Sequence, residues 1–159
     1  MQDGALREQL AKVLDWHDAH ADFDQAVAEI PAGSRGVAPH GLPYSPWQLV
    51  EHIRRTQADI LEFCVNPGYR ELEWPKDYWP ASAAPASDAE WEAAVAQTRA
   101  DCARLADLAR DPAIDLGARV PAGNGQTFLR EVLLVIDHTA YHVGQLVVLR
   151  RLLTESRES

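Results

Sequence analysis

The sequence predicts an all-α fold, a four-helix bundle, on three observations. Apolar residues recur at three- and four-residue steps along four separate stretches. Those stretches are bounded by caps, prolines or glycines of the kind that start and stop helices. No alternating polar–apolar run reads as a convincing strand. The chain of 159 residues is long enough to bury a core, so residues 1–159 are expected to form one domain. Helices joined by short loops pack antiparallel, whereas a long crossover permits a parallel pair. The long connection over residues 66–86 therefore makes up-down-down-up the expected order.

The first helix is expected from about Asp3 to Ile30, on Leu6, Leu10, Val13, Leu14, His17, Ala21, Phe23 or Asp24, Val27 and Ile30. The segment from Pro31 to Gly36 closes it, and a polar loop runs to Tyr44. Ser45-Pro46-Trp47-Gln48 then places Ser at the N-cap, Pro at the first helical position and Gln at the third. This proline-led capping box opens a helix through His52 to about Val65, stopped by Asn66-Pro67-Gly68.

Residues 66–86 carry Pro67, Pro75, Pro80 and Pro85 with Tyr69, Trp74, Tyr78 and Trp79 between them. So long a connection crosses the molecule or covers a site, and its aromatics argue for a packed strap. Trp74, Tyr78 and Trp79 either line the mouth of a site or staple the crossover to the bundle, and the staple is the expectation. Ser87-Asp88-Ala89-Glu90 forms a second capping box for a helix to about Arg110, ended by Asp111-Pro112. The segment to Gln126 is loop, with Asn124-Gly125 as a hairpin turn between two very short strands.

The last helix, Thr127 to Leu153, organises the chain, with Thr127 as its N-cap. His138 and His142 lie about 40° apart around it, with Glu131 and Gln145 within about 20° of His138. Leu134, Val135, Leu149 and Leu152 share that face. Val132, Ile136, Val143 and Val147 form a second apolar face roughly opposite. A helix apolar on both sides is central or lies at an oligomer interface, so a homodimer seam is expected on the second face. Residues 154–159 are a polar tail.

Composition narrows the partners. Net charge is −9, and beyond Arg54-Arg55 and Arg150-Arg151 there is no basic cluster. That speaks against nucleic acid or an anionic membrane surface as partner. The N-terminus has no basic segment leading into an apolar one, no stretch is expected to span a membrane, and the expected location is cytoplasmic. Cys64 and Cys102 fall in helical patterns and read as small core residues, not as a disulfide.

The chemistry centres on His52, His138 and His142. Two imidazoles at i and i+4, with a third from a neighbouring helix, make a reasonable metal-site geometry. Three neutral imidazoles leave positions open for water or substrate, as catalytic zinc requires. Nickel, iron, manganese or cobalt suits the same set. Glu131, Gln145, Asp59 and Glu51 are the candidates to orient the ligating rings. The alternative is core histidines satisfied by carboxylates.

Here the passages YSPWQLVEHI and DHTAYHVGQLVVLRRLL resemble the two signature segments of the DinB/YfiT-like superfamily. These are an aromatic-led helix start followed by a ligand histidine, and a last helix carrying HxxxH followed by GQ and basic residues. The resemblance extends over essentially the whole chain, since helix count, order and crossover agree. It implies a three-histidine metal site at His52, His138 and His142. Characterised relatives are metal-dependent thiol transferases using bacillithiol, mycothiol or glutathione, and related isomerases or hydrolases. The implied chemistry is a metal that lowers the pKa of a bound thiol or water. The thiol would come from a cosubstrate, because neither cysteine has an activating setting. The family name refers to induction by DNA damage and not to DNA binding, in keeping with the acidic balance.

Weaker signals complete the reading. His17 and His20 beside Asp18 make a second metal-site candidate, though such pairs are mostly solvated or capping groups; His17 also falls on the apolar register and could approach the central site. His40 sits in a loop without partners in the sequence. Gly123-Asn124-Gly125 lacks the rest of a phosphate-loop pattern. Tyr141 either donates to a metal-bound ligand or packs with its hydroxyl at the rim, the latter expected. Two functions stay open: a metal-dependent transferase or hydrolase, and a non-catalytic, dimeric, stress-associated scaffold whose metal is structural or vestigial.

Overall fold

The computed structural model describes residues 2–16 and 18–155. Among them the fold is all-α, with five helices: α1 (Gln2–Val13), α2 (Phe23–Val27), α3 (Pro46–Val65), α4 (Asp88–Arg110) and α5 (Phe128–Glu155). Two short 3-10 turns, Ala32–Ser34 and Pro39–Gly41, shape the loop before α3.

The single first helix expected over Asp3–Ile30 is instead two helices. α1 ends at Val13, and the carbonyl of Leu14 accepts from the Cys102 thiol at 3.3 Å. Asp22 then starts a new helix: its side chain accepts from the Gln25 amide at 2.7 Å, and the Gln25 side chain accepts from the Asp22 amide at 3.2 Å. The apolar period runs through the break because both helices bury residues inside the molecule, Leu10 and Ala11 of α1 in one apolar cluster and Ala26 and Val27 of α2 in the other. His17 lies outside the described residues, as does the tail at 156–159.

α3 starts as its sequence dictates. Ser45 Oγ accepts from the Gln48 amide at 3.2 Å, and Gln48 Oε1 accepts from the Ser45 amide at 3.0 Å. The Ser45 hydroxyl also donates to the Ala83 carbonyl at 2.5 Å, tying the end of the crossover to this cap. At α4, Ser87 caps the Glu90 amide at 3.2 Å, but the Glu90 carboxylate takes the Ala86 amide, so the expected reciprocal box is only half made. Thr127 caps α5 through the Arg130 amide. The two short strands expected around Asn124-Gly125 reduce to one antiparallel bridge, Arg119 with Thr127. Gly125 supplies a φ of +119° there, a conformation that a side chain resists.

The interior has two apolar clusters. One gathers Leu10, Leu61, Cys64, Leu105, Phe128, Val132 and Val135. The other gathers Val27, Trp47, Val50, Ile53, Trp91, Val95, Val143 and Leu146. Between them, α3, α4 and α5 contribute polar buried groups: Gln57, Thr98, Asp101 and His142. Gln57 Nε2 donates to Thr139 Oγ1 at 3.1 Å across the α3–α5 interface. Arg7 of α1 donates to the carbonyls of Ala109, Asp111 and Ile114, satisfying the C-terminal end of α4 with a cation.

α5 is not apolar to solvent where expected. Val132 and Val143 are 0% and 4% exposed, inside the chain's own core. The outward stripe carries Leu133, Tyr141 and Val148, about a third of a turn away. α5 is also long and apolar enough to cross a membrane by length and composition, contrary to expectation. A core helix of a soluble protein meets the same description, and α5 buries Glu131 and His142 against the other helices.

Candidate metal centre

α3 and α5 pack side by side, and this brings together the three histidines singled out in the sequence. Their nearest ring nitrogens all lie within 4.8 Å of one another. His138 and His142 share a face because they are four apart on α5; His52 meets them from the middle of the first half of α3. His52 and His142 are buried and His138 is half-buried. The ring centroids of His52 lie 4.9 Å from His138 and 4.7 Å from His142.

The hydrogen bonds decide which nitrogen of each ring is free. His52 Nδ1 is 3.0 Å from the Tyr78 carbonyl. A carbonyl only accepts, so Nδ1 carries the proton and Nε2 keeps its lone pair. His142 Nδ1 faces Gln145 Oε1 at 2.6 Å, with the same result. His52 Nε2 and His138 Nε2 are 3.0 Å apart. Since His52 Nε2 has no proton, His138 Nε2–H must donate in this arrangement. Binding an ion would require His138 to carry its proton on Nδ1 instead.

The residues fit a divalent ion. One ring nitrogen of each histidine converges, Nε2 for His52 and His138, and the rings of His52 and His142 have their Nδ1 protons committed elsewhere. The 3.0 Å gap is close to the ~3.3 Å between ligands of a tetrahedral ion with bonds of about 2.0–2.1 Å. Burial favours the neutral rings that ligation needs. It lowers His52 to about 4, against the opposing bond from Tyr78, and His138 to about 3, helped by the neighbouring His142 and His52. His142 is lowered by the same burial.

Aromatics from the crossover complete the wall. Trp79 stacks on His52 with centroids 3.9 Å apart and planes 6° from parallel, and Tyr44 stacks on the far side of Trp79 at 4.2 Å. Trp79 and Tyr78 therefore both staple the strap and touch the site. Trp74 stands 67% exposed with an edge toward His52, and Tyr141 stands 65% exposed with an edge toward His142. These two flank the cluster, so for Trp74 the mouth is the better description. For Tyr141 the rim position expected from sequence is the one observed.

Of the four residues expected to orient the rings, Gln145 alone does so directly. Glu51 is engaged by Arg54 at 2.5 Å and Arg55 at 2.9 Å, with its carboxyl held below the usual range despite burial. Glu131 is buried against Arg130. Asp59 accepts from the hydroxyls of Tyr69 and Tyr78 at 2.8 and 2.7 Å. The group sequence reasoning missed is the Tyr78 main-chain carbonyl, which no side-chain pattern announces. His20 is exposed, with Nδ1 3.0 Å from the Ala21 carbonyl, away from the three histidines. Cys64 and Cys102 are free; burial pushes their thiols up to about 12 and about 11, the opposite of activation.

No curated protein and no solved structure is similar enough to this chain to extend the comparison. The sequence pattern of the DinB superfamily matches residues 15–146. That span contains α2 to α4, the crossover and all three histidines, and the chain belongs to the DinB superfamily.

Proposed function

We propose that His52, His138 and His142 hold one divalent metal ion and that the protein is a metal-dependent transferase or hydrolase acting on a small molecule. The observation that carries this reading is the convergence of one ring nitrogen from each of the three histidines, with the Nδ1 protons of His52 and His142 committed to acceptors. Zinc, nickel, iron or manganese suits three imidazoles. A bound ion would supply a Lewis acid able to activate a thiol or water at neutral pH.

The chain's own residues fix the ring orientations, keep the imidazoles neutral and cover one side of the site with Trp79. The exposed Trp74 and Tyr141 rings offer apolar walls to a substrate. The thiol, in this reading, belongs to a low-molecular-weight cosubstrate, because both cysteines stay protonated. The test is turnover of low-molecular-weight thiols with electrophiles, and of hydrolysable analogues, by metal-loaded protein. Turnover abolished in His138→Ala with an unchanged circular dichroism spectrum supports the reading. Equal turnover in that variant overturns it.

The finer architecture in this reading is one domain, a four-helix bundle ordered up-down-down-up, with α1 and α2 sharing the first position. The sequence of core clusters supports it. α3 and α4 both run from the Trp47–Trp91 cluster to the Cys64–Leu105 cluster, and α5 runs the other way. The proposed location is cytoplasmic, with neither nucleic acid nor membrane as partner, on the acidic balance of the sequence.

A second reading is a dimeric, stress-associated scaffold with a structural or vestigial metal. The exposed Leu133 and Val148 favour a homodimer through α5 in either case. Light scattering at micromolar concentration is expected to give a dimer that Val148→Glu converts to monomer. A monomeric wild type removes the scaffold.

A further inference from the structure

We propose that Asp59 acts through Tyr78 as a latch that sets the protonation and aim of His52, making it a positioning residue for the metal centre. The proposal rests on the metal reading above.

His52 and Asp59 are seven residues apart on α3, on the same face and about 10 Å apart along the axis. Tyr78 spans that distance. Its hydroxyl donates to Asp59 Oδ2 at 2.7 Å, while its own carbonyl accepts from His52 Nδ1 at 3.0 Å. Between the two points, Arg55 donates to the Asp77 and Trp79 carbonyls at 3.2 and 3.3 Å, and Glu51 holds Arg55 at 2.9 Å. Three consecutive carbonyls of the crossover are therefore gripped by one face of α3, and the middle one belongs to the histidine.

The geometry has a direct chemical consequence. A neutral imidazole carries its proton on either nitrogen, and only the Nδ1–H tautomer presents Nε2 to the cluster. The Tyr78 carbonyl selects that tautomer, and the Asp59 carboxylate holds Tyr78 in place. The strap also presses Trp79 flat against the His52 ring, so one latch fixes both the proton and the ring plane. Tyr69 also donates to Asp59, at 2.8 Å, and its hydroxyl neighbours that of Tyr78, but no carbonyl of its own bonds His52. That makes it the control for general loosening of the strap.

The test titrates metal-free protein with Co(II), reading affinity and the visible absorption of the complex. Partners that orient ligating histidines are worth about 10- to 100-fold in metal affinity. Asp59→Ala, which acts through the Tyr78 hydroxyl, is expected to weaken Co(II) binding by about tenfold. Tyr78→Phe is expected to weaken it by about tenfold with a shifted absorption band. Tyr69→Phe is expected to lower the melting temperature while staying within about threefold of wild-type affinity. Wild-type affinity and spectrum in both Asp59→Ala and Tyr78→Phe would overturn the latch alone. So would equal weakening in Tyr69→Phe and Tyr78→Phe, which would show loosening and not a route through Tyr78. Wild type that takes up no Co(II) would instead overturn the metal reading, and the latch with it.

Discussion

The two apolar ends of the molecule and the polar band between them are built on opposite terms. At the ends, α3, α4 and α5 interlock Ile53, Leu105 and Leu146 with none of their surface left to solvent. These side chains stabilise by leaving water and by close contact. In the band, the same helices place Gln57, Thr98, Asp101 and the histidines, whose burial costs free energy unless each group is partnered. Some are not: Gln57 Oε1 and Asp101 Oδ2 have no hydrogen-bond partner among the described residues. The ends hold the fold, and the band accepts a loss of stability where the three histidines are placed.

The largest expected effect comes from an end. Leu105→Ala leaves a cavity in the cluster around Cys64 and Val132 and is expected to cost about 2–5 kcal/mol. Urea denaturation checks this, and Co(II) uptake below the transition should be unchanged. A loss of metal binding in the folded variant would break the division between ends and band.

An intermediate effect belongs to the band. In metal-free protein the buried histidines have folded values below the ordinary 6.5, about 4 for His52 and about 3 for His138. The unfolded chain therefore binds more protons between those values and 6.5, so stability falls as pH drops through that window and is flat above it. Urea midpoints at pH 7.5, 5.5 and 4.5 should decrease in that order, and the decrease should shrink in His138→Ala. A midpoint independent of pH would mean that the rings are not held neutral by burial.

The smallest effect is also the sharpest contrast. Gln57→Leu combined with Thr139→Val removes both ends of the α3–α5 hydrogen bond and the unpartnered amide oxygen. It should change stability by no more than about 1 kcal/mol, because replacing both partners together strands nothing. A large loss would give the polar band a structural role equal to that of the ends.

What was legible in the sequence follows the range of the interactions. The start of α3 was legible because Ser45, Pro46 and Gln48 settle it within one turn. The pairing of His138 with His142 was legible because helix spacing alone puts them together. His52 joined them through its place on the inward face of α3 and through the family resemblance. The break between α1 and α2 was hidden, because two helices buried in one interior preserve a single apolar period. The roles expected of Glu51 failed for a local reason that the sequence did contain: Arg54 and Arg55 stand three and four residues on, at ion-pairing distance along the helix. Tyr78 was found only as a strap residue, since the group that matters is its carbonyl, which every residue has. The outward face of α5 was misplaced by about a third of a turn, because both faces of this helix are apolar and only its neighbours show which one they cover.

The central claim is that the polar band holds a metal through its three histidines. It is tested most directly by metal content, measured by mass spectrometry on untagged protein purified without chelator, wild type beside His138→Ala. About one divalent ion per chain in wild type, and none in a variant that keeps its helical spectrum, is the expected result. Wild type without metal after attempted reloading would contradict the account and leave the three imidazoles as hydrogen-bonded core residues.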